Sequence, residues 1–327
     1  MKVAEIKNDL VVTSEREKIT LENRKGAIVK VLGCGLCGSD IVKLKQKLAK
    51  DGTVLGHEIV CKIVEIDSST SFKVGDTIVT SHHIPCGKCE YCKNGNVSMC
   101  RHFKQTNIFP GGFSEYVFVS EEHLQNVAYI KPENLTNAEA AFYEPLACCI
   151  RAVKRATLQQ GSSALVIGLG SVGILMAQAL NALGMKVIGC DLISSRVELL
   201  KSLGIEAFNV TEMCESIQVD CVFMTSGSDK AIPTALKYVR DGGKILVFSS
   251  TPQNFGYANN EIYYRELTVL GSYSPAPTDL KDSLNLLKNK DVKVSKLSTE
   301  YSLDQVQKAI NDTVENKILK AYVKIGE

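Results

Sequence analysis

Ala164-Leu165-Val166-Ile167-Gly168-Leu169-Gly170-Ser171-Val172-Gly173 is the stretch of sequence that decides the fold. Its first four residues are apolar and typical of a buried strand, and the pattern from Ser171 to Leu183 indicates a helix. Between the two, Gly168 permits a tight turn, Gly170 lets the backbone approach a pyrophosphate and Gly173 allows close packing of helix on strand. The stretch therefore predicts a dinucleotide site, with the pyrophosphate facing the N-terminus of the helix.

The end of the next predicted strand bears on which dinucleotide fits. Asp191 lies eighteen residues after Gly173, and a carboxylate there accepts hydrogen bonds from the ribose hydroxyls of NAD and repels the 2′-phosphate of NADP. No arginine replaces it, although Arg196 follows five residues later. NAD is therefore the expected cofactor. The predicted cofactor-binding residues are Gly168, Gly170, Ser171, Val172, Gly173, Asp191 and Arg196.

The sequence pattern divides the chain into two parts. From residue 148 to 274, predicted strands and helices alternate, which indicates an α/β domain with a doubly wound parallel sheet. Residues 1–147 instead contain short β-rich segments separated by turns, which are typical of a barrel or an irregular sheet. The charged, helix-prone residues 275–327 are expected to pack on this β-rich part and to complete it.

The composition limits the classes of function. The chain has 327 residues, with 38 Lys and Arg against 36 Asp and Glu, so its formal charge is only +2. A dedicated binder of nucleic acid or of an anionic membrane would need a larger basic surplus. The uncharged run from Ala156 to Met185 is long enough to span a bilayer, but polar residues and five glycines interrupt it. With no apolar leader at its start, we expect a cytoplasmic protein without a membrane or nucleic-acid partner.

Four of the twelve cysteines lie close together. Cys86, Cys89, Cys92 and Cys100 fall within fifteen residues, in a chain whose lack of an export signal argues against disulfides. Buried thiols, an iron–sulfur cluster and a zinc ribbon that touches nucleic acid are the alternatives. Four thiols in one loop, together with the near-neutral charge, favour a closed, structural Cys₄ zinc site at about residues 86–100.

A second set of metal-ligand types is spread along the β-rich part. Cys37, His57 and a carboxylate such as Glu144 form a plausible open zinc site with three protein ligands. Spacing alone leaves two alternatives open. Cys34 and Cys37 form a CxxC pair that could be redox-active, and His57 could be a structural histidine.

The order of several motifs resembles one known family. The landmarks are Gly35-Leu-Cys37-Gly-Ser39-Asp40, Gly56-His57-Glu58, Val74-Gly75-Asp76, the four-cysteine lobe, Gly111-Gly-Phe-Ser-Glu-Tyr116, Glu144-Pro145-Leu146 and the nucleotide fingerprint. Together they resemble the zinc-containing medium-chain dehydrogenases over essentially the whole chain. Glu-Pro-Leu at 144–146 is similar to the sorbitol, threonine and galactitol-phosphate dehydrogenase branch of that family.

The resemblance implies a fold and an activity. The expected fold is a GroES-like β-rich catalytic domain, residues 1–147 and 275–327, plus a Rossmann NAD-binding domain, residues 148–274. The expected activity is hydride transfer from a secondary alcohol of a small polyol or polyol phosphate to NAD, which gives a ketone. Two zinc ions per subunit, one catalytic and one structural, and a homodimer or homotetramer are also implied.

The resemblance also assigns residues. The implied ligands of the catalytic zinc are Cys37, His57, Glu58 and Glu144, of which either carboxylate could be the direct ligand. Cys86, Cys89, Cys92 and Cys100 would hold the structural zinc. Ser39 would accept the proton of the alcohol. The histidine that often follows the Ser-Asp pair in this family is Val42 here, so the route of the proton beyond Ser39 is open.

Three other functions compete with this interpretation. An enzyme acting on L-threonine would need an anchor for the amino acid, which we do not identify. A non-catalytic NAD-binding zinc protein would have no physical need for the full ligand set, and a zinc-ribbon nucleic-acid binder leaves the nucleotide fingerprint unexplained.

The basic cluster Lys43, Lys45, Lys47 and Lys50 fits either a site for a substrate phosphate or a solvated face. Because charge runs usually form solvated surfaces, the second interpretation is favoured. His82 and His83 are interpreted as loop histidines.

Overall fold

The computed structural model describes residues 1–250 and 259–326. The chain divides into two compact units. The β-rich unit consists of Met1–Glu144, Ala276–Lys288 and Val294–Glu327, and the α/β unit consists of Pro145–Pro275 and Asn289–Lys293. The sequence had placed 289–293 with the β-rich part. This segment belongs to the α/β unit because Lys293 exchanges two backbone hydrogen bonds with the side-chain amide of Gln178, at 2.8 and 3.0 Å.

Strands form much of the described chain. In chain order they are β1 (Lys2–Lys7), β2 (Leu10–Glu15), β3 (Gly26–Gly35), β4 (Glu58–Asp67), β5 (Thr77–Thr80), β6 (Tyr116–Ser120), β7 (Ala128–Ile130), β8 (Ser163–Ile167), β9 (Lys186–Asp191), β10 (Glu206–Asn209), β11 (Val219–Met224), β12 (Val239–Val247), β13 (Thr268–Gly271), β14 (Thr299–Ser302) and β15 (Ala321–Lys324).

Helices connect the strands. The α-helices are α1 (Gly38–Lys45), α2 (Glu90–Lys93), α3 (Arg101–Gln105), α4 (Glu121–Asn126), α5 (Asn137–Ala140), α6 (Tyr143–Ala156), α7 (Ser171–Ala182), α8 (Ser194–Ser202), α9 (Ala231–Tyr238), α10 (Asn259–Tyr264), α11 (Pro277–Lys288) and α12 (Val306–Val314). Short 3₁₀ turns occur at Val97–Met99, Val210–Glu212 and Leu303–Gln305. No described helix combines the length and the apolar character needed to cross a membrane.

The α/β unit is built on a parallel sheet. Its strand order is β10-β9-β8-β11-β12-β13, and each neighbouring pair is parallel. The order runs outward in both directions from β8, which is the strand of the glycine fingerprint. The predicted doubly wound sheet is therefore confirmed, and β8 and β11 lie at its centre, where the carboxyl ends of the strands commonly bind a ligand.

The β-rich unit contains a mostly antiparallel sheet. Its order is β14-β15-β3-β4-β5-β7, with β6 paired to β3, and β1 and β2 form a separate hairpin. Along β4, Ile59, Cys61 and Ile63 are buried in the apolar core, whereas alternate residues point to the opposite face. Glu58, the first residue of β4, lies on that opposite face and pairs with Gly35 of β3. This register brings the ends of β3 and β4 together at one edge of the unit.

Candidate functional site

The catalytic residues predicted on the first motif lie where β3 gives way to α1. Cys37 is the N-cap of α1, and its backbone N–H donates to Asp40 Oδ2 at 3.1 Å. This bond ties the first turn of the helix to the loop that carries the thiol. Cys34, the other member of the CxxC pair, is fully buried, and burial raises its pKa well above that of an ordinary thiol. A thiol so hard to ionise argues against a redox pair.

His57 is held in place by a buried carboxylate. Its Nδ1 lies 3.4 Å from Asp40 Oδ1, which also accepts the backbone N–H of Gly56 at 3.3 Å. Burial alone would raise the pKa of Asp40 and lower that of His57. The attraction between the carboxylate and the imidazolium exceeds the effect of burial, so the pKa of Asp40 falls and that of His57 rises well above its ordinary value. A carboxylate on one ring nitrogen orients the other nitrogen toward a metal. Gly56 has φ +86°, and a Cβ there would lie within 3.0 Å of Phe113, so this turn requires glycine.

Two overlapping groups of ligand atoms converge at this edge of the β-rich unit. Cys37, His57 and Glu58 each offer one ligand atom, and these atoms lie within 4.8 Å of one another. His57 also belongs to a second group of the same compactness, with His82 and Glu144. Thiolate, imidazole and carboxylate are the ligands that zinc prefers. The donor set therefore fits a zinc ion, and the four predicted ligands all lie around His57.

His82 was missed by the sequence analysis, which interpreted it as a loop histidine. Its ring centroid lies 4.4 Å from that of His57. The reason is the register of two strands: Ile59 of β4 pairs with Thr80 of β5, so the residue two before Ile59 and the residue two after Thr80 stand side by side. Burial and the charge of His57 keep the pKa of His82 well below its ordinary value. His82 is therefore a neutral imidazole beside the candidate metal ligands.

Glu58 has a buried basic partner. Lys320 lies just before β15, and its Nζ donates to Glu58 Oε1 at 2.9 Å and lies 2.6 Å from Oε2. Lys320 also donates to the carbonyl oxygen of Leu36 at 3.2 Å. Burial lowers the pKa of Lys320, but Glu58 more than offsets this, so the pKa is raised. The space for this pair comes from Gly35, since a Cβ there would lie 1.9 Å from Glu58 Oε2.

Ser39, the predicted proton acceptor, lies in the first turn of α1, two residues after Cys37, and is exposed. Val42 lies one turn further along the same helix and is half-buried. Ser39 and the candidate ligand Cys37 thus lie two residues apart at the N-terminus of the same helix. Its part in proton transfer stays a prediction.

The four-cysteine lobe forms a compact cluster of sulfurs. All four sulfurs lie within 4.8 Å of one another, with Cys89 Sγ 3.6 Å and Cys86 Sγ 4.0 Å from Cys92 Sγ. A tetrahedral zinc with Zn–S bonds of about 2.3 Å separates its sulfurs by about 3.8 Å, so the lobe fits this metal. Burial raises the pKa of Cys100, but the backbone N–H groups of Cys86 and Phe103 outweigh it and lower the pKa to about 6. Such a thiol readily supplies a thiolate.

Replacing Cys89 with serine is expected to reduce the zinc content from about two ions per chain to about one and to lower the midpoint of thermal unfolding. The lobe depends on the metal because α2, which follows Cys89, buries none of its residues. Metal analysis and a thermal melt measure both effects. The exposed Cys214 of the α/β unit provides the matched control, since Cys214→Ser should keep both ions. A stable Cys89→Ser protein with two zinc ions would contradict the structural role.

The nucleotide fingerprint borders a pocket of about 420 Å³ in the α/β unit. Among its lining residues are Gly168, Gly170, Asp191, Arg196 and Ser226. A Cβ on Gly170 would meet no atom within 4 Å, so the backbone there is open to a ligand. The pocket lies at the carboxyl ends of β8 and β9, beside the N-terminus of α7.

The other fingerprint residues have the predicted local geometry. Gly168 has φ +94°, and a Cβ on Gly173 would lie 1.8 Å from the carbonyl oxygen of Gly168, so helix and turn approach as closely as the motif requires. Ser171 and Val172 begin α7. The first backbone N–H groups of a helix have no acceptor within that helix and can bind an anion. The chemistry of this loop therefore fits a dinucleotide pyrophosphate.

Asp191 is fixed by the same loop. Its Oδ2 accepts the backbone N–H of Leu169 at 2.6 Å, and its Oδ1 accepts that of Ile193 at 2.9 Å. Arg196 Nη1 lies 3.6 Å from Asp191 Oδ2. The carboxylate of Asp191 thus stabilises the glycine turn through hydrogen bonds, and Asp191 also lines the pocket.

Comparisons with known proteins identify the family of this chain. The profile of the family "Alcohol dehydrogenase GroES-like domain" matches residues 23–129, and that of "Zinc-binding dehydrogenase" matches residues 171–289. Sorbitol dehydrogenase of Bacillus subtilis (strain 168) is 31% identical over 346 residues, which cover 99% of this chain and 97% of that protein. The chain belongs to the zinc-containing medium-chain dehydrogenases, in their polyol dehydrogenase branch.

Two further relatives lie in the same family. D-arabitol-phosphate dehydrogenase of Enterococcus avium is 29% identical over 318 residues, covering 91% of this chain and 89% of that protein. A zinc-binding dehydrogenase structure from Sinorhizobium meliloti 1021, bound to NADP, superposes with a TM-score of 0.87 at 25% identity and covers 99% of this chain and 98% of that one. The predicted GroES-like and Rossmann fold, zinc binding and a nicotinamide cofactor, NAD or NADP, are thereby confirmed for this medium-chain dehydrogenase.

Proposed function

We propose that this enzyme oxidises a secondary alcohol of a small polyol to the ketone, with NAD as the hydride acceptor and a zinc ion at His57. The observation that carries the proposal is the convergence of Cys37, His57 and Glu58 ligand atoms within 4.8 Å, with Asp40 on the far nitrogen of His57. Three protein ligands leave a position for the substrate. The sequence similarity to polyol dehydrogenases supports the substrate class.

The residues of the chain divide the work. When bound, zinc would supply Lewis acidity, which lowers the pKa of a bound water from about 15.7 to about 7 and acts in the same direction on a bound alcohol, and NAD would accept the hydride. Cys37 and His57 hold the metal, Asp40 fixes the imidazole, and Glu58 or Glu144 completes the set. Since Lys320 contacts both oxygens of Glu58, it competes with a metal for that carboxylate.

Ser39 is the group proposed to accept the proton of the alcohol. It lies on α1 two residues from the thiol ligand and is exposed to solvent, so it can exchange the proton without a further relay residue. This exposure supports a route that does not need a histidine at position 42. Ser39→Ala should therefore lower kcat while leaving zinc content and NAD binding intact.

NAD is the proposed cofactor because the Asp191 carboxylate lines the nucleotide pocket. Asp191→Ala is expected to weaken NAD binding and to shift the ratio of kcat/KM for NAD over NADP by at least about tenfold toward NADP. Removing the acid frees Arg196 to meet a 2′-phosphate. The exposed acid Asp241 of the same unit serves as the control, and Asp241→Ala should leave the ratio unchanged. An unaltered cofactor preference in Asp191→Ala would remove this residue from the ribose site.

A substrate panel tests the reaction. Zinc-replete enzyme would be assayed for NADH formation with sorbitol, xylitol, ribitol, galactitol, their phosphates, L-threonine and simple secondary alcohols. We expect turnover with a polyol or its phosphate and none with threonine. Threonine as the best substrate, or silence with two zinc ions and NAD bound, would contradict the proposed activity.

The assembly and the compartment are also proposals. Homodimers or homotetramers are usual in this family, and sedimentation equilibrium would measure the number of subunits. A reducing compartment such as the cytoplasm keeps the lobe cysteines as thiolates available to zinc. Localisation of a tagged chain would test it.

A further inference from the structure

A second feature of the β-rich unit is a pocket of about 360 Å³ that contains the candidate metal ligand. His57 and His82 line it, and so do Lys43 and Lys50. Its volume falls in the range of about 300–1,000 Å³ in which proteins bind small molecules. Two lysines therefore line the same pocket as the histidine that is proposed to hold zinc.

The four lysines of the basic cluster separate in the structure. Lys45 and Lys47 line a different pocket with Asp9, and Lys47 forms an ion pair with Asp9 at 2.5 Å. Lys43 and Lys50 have no hydrogen bond or ion pair from their ammonium groups within residues 1–250 and 259–326. Only Lys43 and Lys50 thus line the pocket of His57. In the described part of the chain, no acidic group forms an ion pair with either of them.

The carboxylate in this pocket already has hydrogen-bonding partners. Among the described lining residues, Asp40 carries the negative charge, and it is 1% exposed. Its oxygens contact His57 and the N–H groups of Cys37 and Gly56. The carboxylate therefore stabilises the metal ligand, and the two lysines remain available to an anion that enters from solvent.

We propose that Lys43 and Lys50 bind the phosphate of a polyol phosphate whose alcohol is oxidised at His57. This inference rests on the proposed function and narrows its substrate from polyols in general to their phosphate monoesters. A phosphate monoester carries a charge of about −1.5 to −2 near pH 7, which two ammonium groups match. A sugar acid carries a single negative charge and would leave one of the two ammonium groups without a counter-charge.

Binding of the phosphate by these lysines would select phosphorylated polyols over free ones. Lys43 lies on α1, the helix that begins at Cys37, and Lys50 lies in the loop that follows α1. The element that carries the thiol ligand therefore also carries one phosphate ligand, so the distance between the reacting alcohol and the phosphate is fixed by a rigid helix. Free polyols lack this anchor and are bound by the metal end alone.

Steady-state kinetics of the zinc-replete holoenzyme test the proposal. The substrates are galactitol and D-arabitol, the 1-phosphate of each, and D-gluconate as the carboxylate arm. We expect kcat/KM for the phosphates to exceed that for the free polyols by at least about thirtyfold, since each charge-assisted contact contributes about tenfold. Lys43→Gln and Lys50→Gln should each remove about tenfold of this preference. Lys45→Gln, on the same helix but lining the other pocket, is the matched control.

Inorganic phosphate gives a readout that does not depend on the sugar. It should inhibit turnover of free galactitol competitively in the wild-type enzyme and in Lys45→Gln, and this inhibition should weaken at least about tenfold in the double variant Lys43→Gln/Lys50→Gln. Of its kcat/KM, the double variant should lose at least about tenfold more for galactitol 1-phosphate than for free galactitol. This difference shows that the lysines act on the phosphate and not on the fold.

The outcomes separate this inference from the proposed function. Turnover of free polyols with no preference for phosphates and no effect of the double variant would overturn the phosphate site and leave the polyol activity standing. A preference for D-gluconate would assign the lysines to a carboxylate instead, and an equal loss for free and phosphorylated substrates would make them structural. Both results overturn the proposal. Absence of turnover with every alcohol would instead refute the proposed function.

Discussion

Cys37→Ser is expected to lower kcat/KM for the alcohol by at least about a thousandfold, because metal polarisation of an alcohol is worth several kcal/mol of transition-state stabilisation. Serine supplies a neutral hydroxyl where zinc prefers a thiolate, so the ligand group around His57 loses its soft member. The lobe retains its own four sulfurs. Zinc content should therefore fall from about two ions per chain to about one, while NAD binding by the α/β unit stays at its wild-type affinity.

The matched control for this change is Cys214→Ser. Cys214 is exposed in the α/β unit, and its sulfur contacts Ser216 and no candidate metal ligand. It should keep both zinc ions and full turnover. Turnover and zinc content are measured together with a fluorescence titration of NADH. Intact turnover in Cys37→Ser would remove Cys37 from the zinc centre, and loss of NADH binding would mean that the substitution acts through the fold.

The parts of the protein that were predicted well from sequence are local in chain. The predicted strand at 164–167 is β8, Ser163–Ile167, and the predicted helix from Ser171 is α7, Ser171–Ala182. Glycine turns and apolar periodicity act over a few residues, so the sequence contains them directly. Less local features cannot be read in this way: β12 begins at Val239, directly after α9, and continues through Gly242, whose φ of +70° only glycine adopts freely.

The candidate ligands could be named from the sequence, but the residues that surround them could not. Each candidate ligand belongs to a short motif, whereas its neighbours come from strand register and from distant segments. Lys320 lies 262 residues beyond Glu58, and no local pattern joins them. His82 reaches His57 through the pairing of β4 with β5, and Asp40 was quoted in a motif without a role. A sequence gives residue types and spacing, but cross-strand partners depend on a register that only the folded sheet defines.

The same limit applies to the basic cluster. In sequence, Lys43, Lys45, Lys47 and Lys50 form one run, and a solvated face was the favoured interpretation. Folding divides the run, because the helix ends at Lys45 and the chain turns at Lys47, which has φ +54°. The turn sends Lys50 back toward the pocket of Lys43 and leaves Lys47 beside Asp9. One charge run therefore provides a surface ion pair at Lys47 and two lysines at the pocket that contains His57, neither of which has an ion pair within the described part of the chain.

Lys320→Met is the second change with a large expected effect. It is expected to lower the free energy of unfolding by about 3–5 kcal/mol, because it leaves Glu58 as an uncompensated charge in the interior. Lys320 and Glu58 are 5% and 2% exposed, so water cannot replace the lost partner. Because the pKa of Lys320 is raised, the stability contributed by its ammonium group is present below the ordinary lysine pKa and is lost only as the pH rises through the folded-state pKa. The full penalty should thus appear in equilibrium urea unfolding at pH 7.

A double-mutant cycle identifies the cause of that loss. In Lys320→Met/Glu58→Gln the buried charge is gone, so the double variant should unfold with a higher free energy than Lys320→Met alone. Lys317→Met is the surface control: the exposed ammonium of Lys317 pairs with Glu315 and lies 3.7 Å from Asp312, and pairs of an exposed ammonium contribute about 0–1 kcal/mol. If the double variant is as unstable as the single one, Lys320 stabilises the fold by packing and not by neutralising Glu58. If Lys320→Met is as stable as Lys317→Met, the Glu58 carboxylate has another counter-charge, and a zinc ion at His57 is the group best placed to supply it.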